Sequence, residues 1–531
     1  MSILQRHEGS DGLSRRTWLI LLSIGALTAI LTSIWISVPG YMDAEYYFAG
    51  AISLSRGDGF ADNFIWNYLS DPTSLPVPSH QYWMPLTSIL SALSLDLFEG
   101  QFRSAQLPFI ILTIAIPLIS AYLALRFHGD SKLAMYSGLF AIFSVIFLPF
   151  MVTTDTFGLY MLLGAGFFWL LTENIQIQKI RNWIVVGIIS AAAHLARADG
   201  LLFMVVALLT IWITGKRRGP STLYVLIGYA LTMLPWWLHN LDVTGAIMSP
   251  NSTKVLWTLS YDELFSYPSA KLTIEHWLSA GIGEIVGVRL NALLQNIQSL
   301  VLVNGMVFLG PFMVIGAVRF RERPLIRLCA GYLVLLLIIM SLVFPFAGAR
   351  GGFFHSSSAV MPFLWVLAPI GLFESIKFGA ERRGWDLVGA QKVFGAAAVI
   401  LALLTTVGLF YIRVIGSGKE ETVWSSSHAV YESVDTWFEN SDLEDQLVAI
   451  NNPPGFYVAS GMKSVVIPDG GVMELREVIE LFGVEWVVLD SNNPGLMDLY
   501  ENPRMVSWLM HTITLEPLPK SRIQIYRVVI D

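Results

Sequence analysis

Charge is what this chain lacks most. Only 14% of its 531 residues are Asp, Glu, Lys or Arg, against about 25% in ordinary soluble domains. With 54% apolar residues and a mean hydropathy of +0.59, that shortage points to a chain crossing a membrane many times. Cysteine is nearly absent. Cys329 stands alone inside an apolar run, so no internal disulfide can form. The net charge is -7 and no basic stripe suited to nucleic acid occurs. No GxxxxGK is present either, which argues against a loop fed by nucleoside triphosphates.

Long apolar runs are there in number. Spans are expected near 17–38, 105–125, 133–151, 157–171, 183–196, 200–214, 221–238, 298–318, 325–346, 358–376 and 393–413. The first run exceeds a signal-peptide h-region and no small-residue cleavage site follows it, so it reads as a retained helix. Residues 85–98 are apolar but short and carry Asp96, which suits a helix lying in the interface. Lys and Arg set the orientation. They gather in short connections such as Arg126 with Lys132, Lys216 to Arg218, Arg319 to Arg327, and Lys377 to Lys392. The alternate loops are longer and hold few, so the N-terminus, 1–16, is expected in the cytoplasm. Loops 39–104 and 239–297 and the tail 414–531 then face outward. In the tail, LVAI, SVVIP, EWVVLD and IQIYRVVI alternate as strands, VMELREVIELF has helical spacing, and NNPPGFYV reads as a turn-rich loop. The expected architecture is an all-α polytopic membrane bundle of about 11 helices, 17–413, carrying a small extracytoplasmic α/β domain.

The stretch that demands a reason is GYMDAEYYFAG, residues 40–50, set directly after the first span. If it is helical, Asp43 shares a face with Tyr47 while Glu45 points elsewhere, so one acid can face a cleft and the other a structural partner. Asp43, nearer the span, is the choice for the cleft. The plain alternative is an Asp opening the helix with the tyrosines in an aromatic belt. The outer face also carries Asp155 in TTDT, Arg197 and Asp199 in HLARADG, His239 in PWWLHN, and Arg350 and His355 in FAGARGGFFHSSSA. Arg197 suits either a salt bridge to Asp199 or an anion contact. His239 and His355 suit either packing or an anion contact. The glycines around Arg350 would let backbone N–H groups approach an anion.

GYMDAEYYFAGAISLSRGDGF, SHQYWMPLTSIL, QFRSAQLPFIIL, TTDTFGLY, HLARADGLLF and PWWLHNLDVTG follow one another in an order that resembles the GT-C class of integral-membrane glycosyltransferases. The protein O-mannosyltransferases and lipid A aminoarabinose transferases are the most similar branches, and the resemblance covers roughly the first two-thirds of the chain. It implies transfer of a sugar from a polyprenyl-phosphate donor to a lipid, protein or glycan acceptor, at the outer face of a plasma (inner) membrane. Asp43-Ala44-Glu45 matches the class's acidic pattern in the first outer loop. Asp43 is then the catalytic base, Glu45 and Asp155 supporting acids, and Arg197, Arg350, His355 and His239 the groups for the donor phosphate. Two departures stand out: Trp83-Met84-Pro85 has only His80 nearby where relatives often carry a basic residue, and His239 stands where many carry Arg. Metal use varies within the class, and no ligand cluster with its own spacing is visible, so no metal or cofactor is expected. The competing readings are a lipid or glycan transporter or flippase, and a non-catalytic envelope assembly protein; mid-span charge, the mark of a transporter, is missing from these spans.

Overall fold

The structure, a computed structural model, describes residues 12–214, 217–249, 251–416, 422–443, 445–519 and 521–529. Most of the expected cytoplasmic N-terminus and Lys216 lie outside the described residues. The chain divides into two compact units. One holds residues through Trp35, Gln106–Leu238 and Val288–Val414; the other holds Ile36–Ala105, His239–Gly287 and the chain from Ile415 onward.

The first unit is helical. Among the described residues of the whole chain, eight helices are long and apolar enough to cross a membrane, and shorter apolar helices, including Ile180–Ala196 and Gly310–Arg319, accompany them. The chain is a multi-pass membrane protein. Large apolar side chains stand outward, Ile213 at 76% exposure and Leu231 at 65%, a surface that hydrocarbon tolerates and water does not. Helices meet through glycine. A Cβ on Gly316 would strike the Leu367 carbonyl and one on Gly371 the Phe312 carbonyl, so Gly310–Arg319 and Met361–Arg383 approach backbone to backbone. Gly187 and Gly228 make the same reciprocal approach between Ile180–Ala196 and Arg218–Thr244. In lipid such close packing replaces the hydrophobic drive that water supplies elsewhere.

Two expected spans are corrected. Residues 298–318 are not one helix: a candidate span runs Gly281–Asn304, the chain turns with Met306 and Val307 at positive φ, and Gly310–Arg319 follows. The outer loop expected to reach 297 therefore ends near Gly281. Residues 133–151 likewise form Ser131–Ile142 and Phe147–Met151, separated at Val145, whose φ is +56°. Unbroken hydropathy concealed both breaks, because a buried turn in a bundle keeps its apolar side chains.

The second unit carries the sheets. Short strands β1 (Ala61–Asp62) and β3 (Val77–Pro78) pair antiparallel. A six-stranded sheet is built from β2 (Phe64–Ile65), β4 (Val448–Ile450), β5 (Ser464–Val466), β6 (Trp486–Leu489), β7 (Leu509–Leu518) and β8 (Ser521–Val528). Its order is β2-β5-β4-β6-β8-β7, parallel from β2 through β6 and antiparallel beyond. Alternation sorts the faces. Ala449, Val465 and Val487 pack with Leu475, Val478 and Ile479 of the helix Val472–Phe482. Val448, Ile450 and Val488 pack with Val434 and Phe438 of the helix Ser426–Glu439. The expected loop NNPPGFYV is instead mostly helix, Pro453–Ser460. Asn452 caps it, and the two prolines occupy first-turn positions that need no N–H. The two long loops are also tied together: Asp71 accepts from Lys254 Nζ at 2.7 Å and from the Ser269 N–H at 2.6 Å.

Replacing Gly371 with Val places methyl groups where the Phe312 carbonyl stands. The expected outcome is a loss of about 1–3 kcal/mol, seen as a lower melting temperature in detergent, while Gly331→Val, where space is open, leaves it unchanged.

Candidate active site

The helix Met42–Arg56 begins with both acids in its first turn and ends at Gly57 in the left-handed region, with the Asp58 N–H bonded back to the Ser53 carbonyl. Acids at that end complement the helix dipole. The two then separate as helical spacing requires. Asp43 is half-buried, whereas Glu45 is 1% exposed. Glu45 Oε2 accepts from Asn452 Nδ2 at 2.7 Å, and Oε1 is buried with no hydrogen-bond partner. Burial pushes the carboxyl up to about 7, offset by the Asn452 bond and reinforced by the Asp43 charge. The fit is close. A Cβ on Gly455 would meet Asn452 Nδ2 at 2.6 Å, Glu45 Oε2 at 2.7 Å and Tyr431 Cε2 at 2.8 Å.

One turn on, a buried network fixes the same helix. Tyr46 donates to Asp62 Oδ2 at 2.9 Å and accepts from the His80 N–H at 2.6 Å. Burial raises Asp62 to about 8, so it keeps its proton at neutral pH. Ser88 donates its hydroxyl to the Tyr47 carbonyl. It therefore accepts from His80 Nε2 at 2.9 Å, and His80 Nδ1 accepts from Ser79 at 2.7 Å. That pattern is a neutral imidazole. Burial first, and the nearby His239 second, push His80 down to about 3, so it cannot stand in for the basic residue missing beside Pro85. His239 packs against Phe60, ring centroids 5.0 Å apart. Trp66 and Trp83 stack at 4.1 Å in the same cluster.

In the first unit the structure brings Asp155 and His355 together. His355 Nε2 lies 3.0 Å from Asp155 Oδ2 and its Nδ1 2.9 Å from the Gly351 carbonyl. The Gly351 carbonyl can only accept, so His355 Nδ1 carries the proton of that bond. Phe157 stacks on the ring at 4.2 Å. Asp155 is itself held by the Thr156 N–H and hydroxyl. Arg197 donates through Nε to Asp199 at 3.1 Å and to Ser356 Oγ at 3.1 Å, and Ser356 donates to Asp199. Arg197 thus pairs with Asp199, and Ser356, next in sequence to His355, joins that pair. Arg350 is exposed in the segment Gly348–Gly352, where Gly351 adopts φ +128°. Gly348 serves packing, since a Cβ there would strike the Met340 carbonyl. Sequence reading missed Asn452, Asp62 and the Ser356 link. Asn452 alone left a signal, an Asn before two prolines.

Comparison with known proteins adds the fold. Neither a family model nor a curated protein matches the sequence. Among solved structures, the archaeal oligosaccharyltransferase AglB from Archaeoglobus fulgidus, in complex with an inhibitory peptide and a dolichol-phosphate, superposes with a TM-score of 0.54 at 14% identity. That match covers 95% of this chain and 75% of that one. ArnT from Cupriavidus metallidurans bound to undecaprenyl phosphate gives 0.51 at 10% identity over 97% and 98% of the two chains. Its apo state gives 0.52 at 11% identity over 96% and 97%. The fold is the GT-C fold. The fold implied by the ordered motifs is therefore present, over nearly the whole chain.

Because Glu45 keeps its proton in the folded chain after the unfolded chain has lost it, stability falls as pH rises from 4.5 to about 7. Glu45→Gln should flatten that part of the melting-temperature profile and raise the melting temperature at pH 8. Asn452→Ala should lower stability by about 1–3 kcal/mol by stripping the carboxyl of its donor. Asp62→Asn, acting in an overlapping range, serves as the separate control. Identical profiles for Glu45→Gln and wild type would refute the assignment.

Proposed function

We propose that this protein is a membrane glycosyltransferase that moves a sugar from a polyprenyl phosphate to an acceptor hydroxyl on the outer face of the membrane. The reading rests on the likeness, over 97% of this chain and 98% of the other, to a transferase fold bound to undecaprenyl phosphate. The Lys and Arg distribution supports the orientation and a plasma-membrane location. The donor sugar is a hexose or pentose by class, and the acceptor a lipid, protein or glycan.

The chemistry asks for a base and for charge to receive a leaving phosphate. Asp43 is the base. Its first-turn neighbour Glu45 is 1% exposed and held by Asn452, so it is not placed to meet an acceptor hydroxyl. Asp43 takes the proton of the acceptor hydroxyl, the oxygen attacks the anomeric carbon, and the carbon–phosphate oxygen bond breaks to release the lipid phosphate. General-base catalysis of this kind is worth about 10²–10⁴-fold. Charge that develops on the phosphate needs fixed cations. His355, beside Asp155, and Arg350 take that part. Arg197 enters as the partner of Asp199, and His239 as a packing group.

Asp43→Asn should fold with an unchanged melting temperature and lose transfer by about 10²-fold or more, read by mass spectrometry as lipid-linked sugar accumulating in membranes. Glu45→Gln should keep most of the activity. Normal transfer by Asp43→Asn would overturn the reading.

A further inference from the structure

The C-terminal sheet contains a crevice that the transfer reaction does not explain. From β4 the chain crosses to β5 on one side, and then to β6 on the other. The point where those directions diverge lies between β4 and β6. In open α/β sheets ligands settle there, outside the carboxyl ends of the strands. This protein has a cavity of about 320 Å³ at that place, reached by Ile450 at the end of β4 and by Val488 and Asp490 at the end of β6. The volume lies within the range of small-molecule sites.

Its chemistry selects the occupant. Sheets of this design often take phosphates on the helix that follows the first strand, through free N–H groups. Here that helix opens with Pro453 and Pro454, which have none, and the Gly455 N–H is engaged by Asn452 Oδ1. A nucleotide cradle is therefore missing. The charges are engaged as well. Asp490 holds its own turn, accepting from the Asn492 N–H at 2.8 Å and the Asn492 amide at 3.0 Å, and Arg522 lies over the Tyr500 ring at 5.6 Å. The remaining polar lining is neutral: Ser426, Ser427, Tyr431, Ser491, Asn492 and Ser521. Beneath it lies an aliphatic floor of Val430, Ile450, Val488 and Ile523. Hydroxyls and amides over aliphatic carbon match a neutral polyol, which presents hydroxyl edges and C–H faces, better than an ion or a lipid tail.

We propose that this cavity binds the saccharide portion of the acceptor. The proposal rests on the transferase reading and extends it to the acceptor class. The cavity's Tyr431 is also the ring that closes, with Asn452 and Glu45, around Gly455. An occupant thus rests against the group that fixes the first turn of the Asp43 helix.

The test uses the full-length protein in nanodiscs, with a panel of neutral methyl glycosides and disaccharides followed by saturation-transfer NMR, and inorganic phosphate as the anionic probe. Ser427 and Asn492 are exposed, so Ser427→Trp and Asn492→Ala are expected to fold, and equal melting temperatures check this. At least one saccharide should bind, with affinity about tenfold weaker in each variant, and phosphate should not compete. Asp43→Asn should bind the saccharide as wild type does, which separates the two readings: loss of transfer alone tests the base, loss of binding alone tests the cavity. In the transfer assay Ser427→Trp should raise the acceptor KM and leave kcat in place. Binding of phosphate in preference to every saccharide, no saccharide binding, or binding indifferent to both substitutions would each overturn the proposal.

Discussion

A single hydrogen bond, from the Asn452 amide to the Glu45 carboxyl, ties the helix Met42–Arg56 to the C-terminal tail. It links residues 407 positions apart and places a carboxyl where water cannot reach it. An acid so placed is held by geometry, with one oxygen satisfied and the other buried. The helix that carries it cannot rotate without exposing the mismatch, because one turn later Tyr46, Asp62 and His80 fix the same face. Asp43, two residues from Glu45, lies on the same fixed helix.

The two acids of one short motif therefore diverge by environment alone. Two acids separated by one residue become a buried anchor held by Asn452 and a half-buried neighbour. The same logic recurs in the helical unit, where His355 is held by Asp155 and the Gly351 carbonyl, and Arg197 is matched by Asp199 two residues away. Polar groups deep in an apolar protein are costly unless paired.

Much of this could be read from the sequence. Hydropathy gave most of the helices, strand alternation gave β4, β5, β6 and β8, and helical spacing separated Asp43 from Glu45. The failures share a cause. The break after Asn304 and the one at Val145 are turns buried among apolar side chains, and composition does not register them. The two-residue strand Phe64–Ile65 and the Asn452 contact are long-range events whose partners lie some four hundred residues onward, beyond any local pattern. His80 looked like a basic residue, and only its serine neighbours reveal a neutral ring. The pairing of Asp155 with His355 likewise needed three dimensions, although both residues had been singled out separately.

The parallel pairing of Phe64–Ile65 with Ser464–Val466 carries a consequence for biosynthesis. Until the ribosome has produced the tail, the first long loop has no sheet to join and its buried glutamate no amide to meet. Closing so long a loop is slow, because its entropy is lost before any contact compensates. The nascent protein must then hold its first loop unfinished through most of translation, and a chain cut short before the tail would reach the membrane with helices in place but its chemistry unassembled.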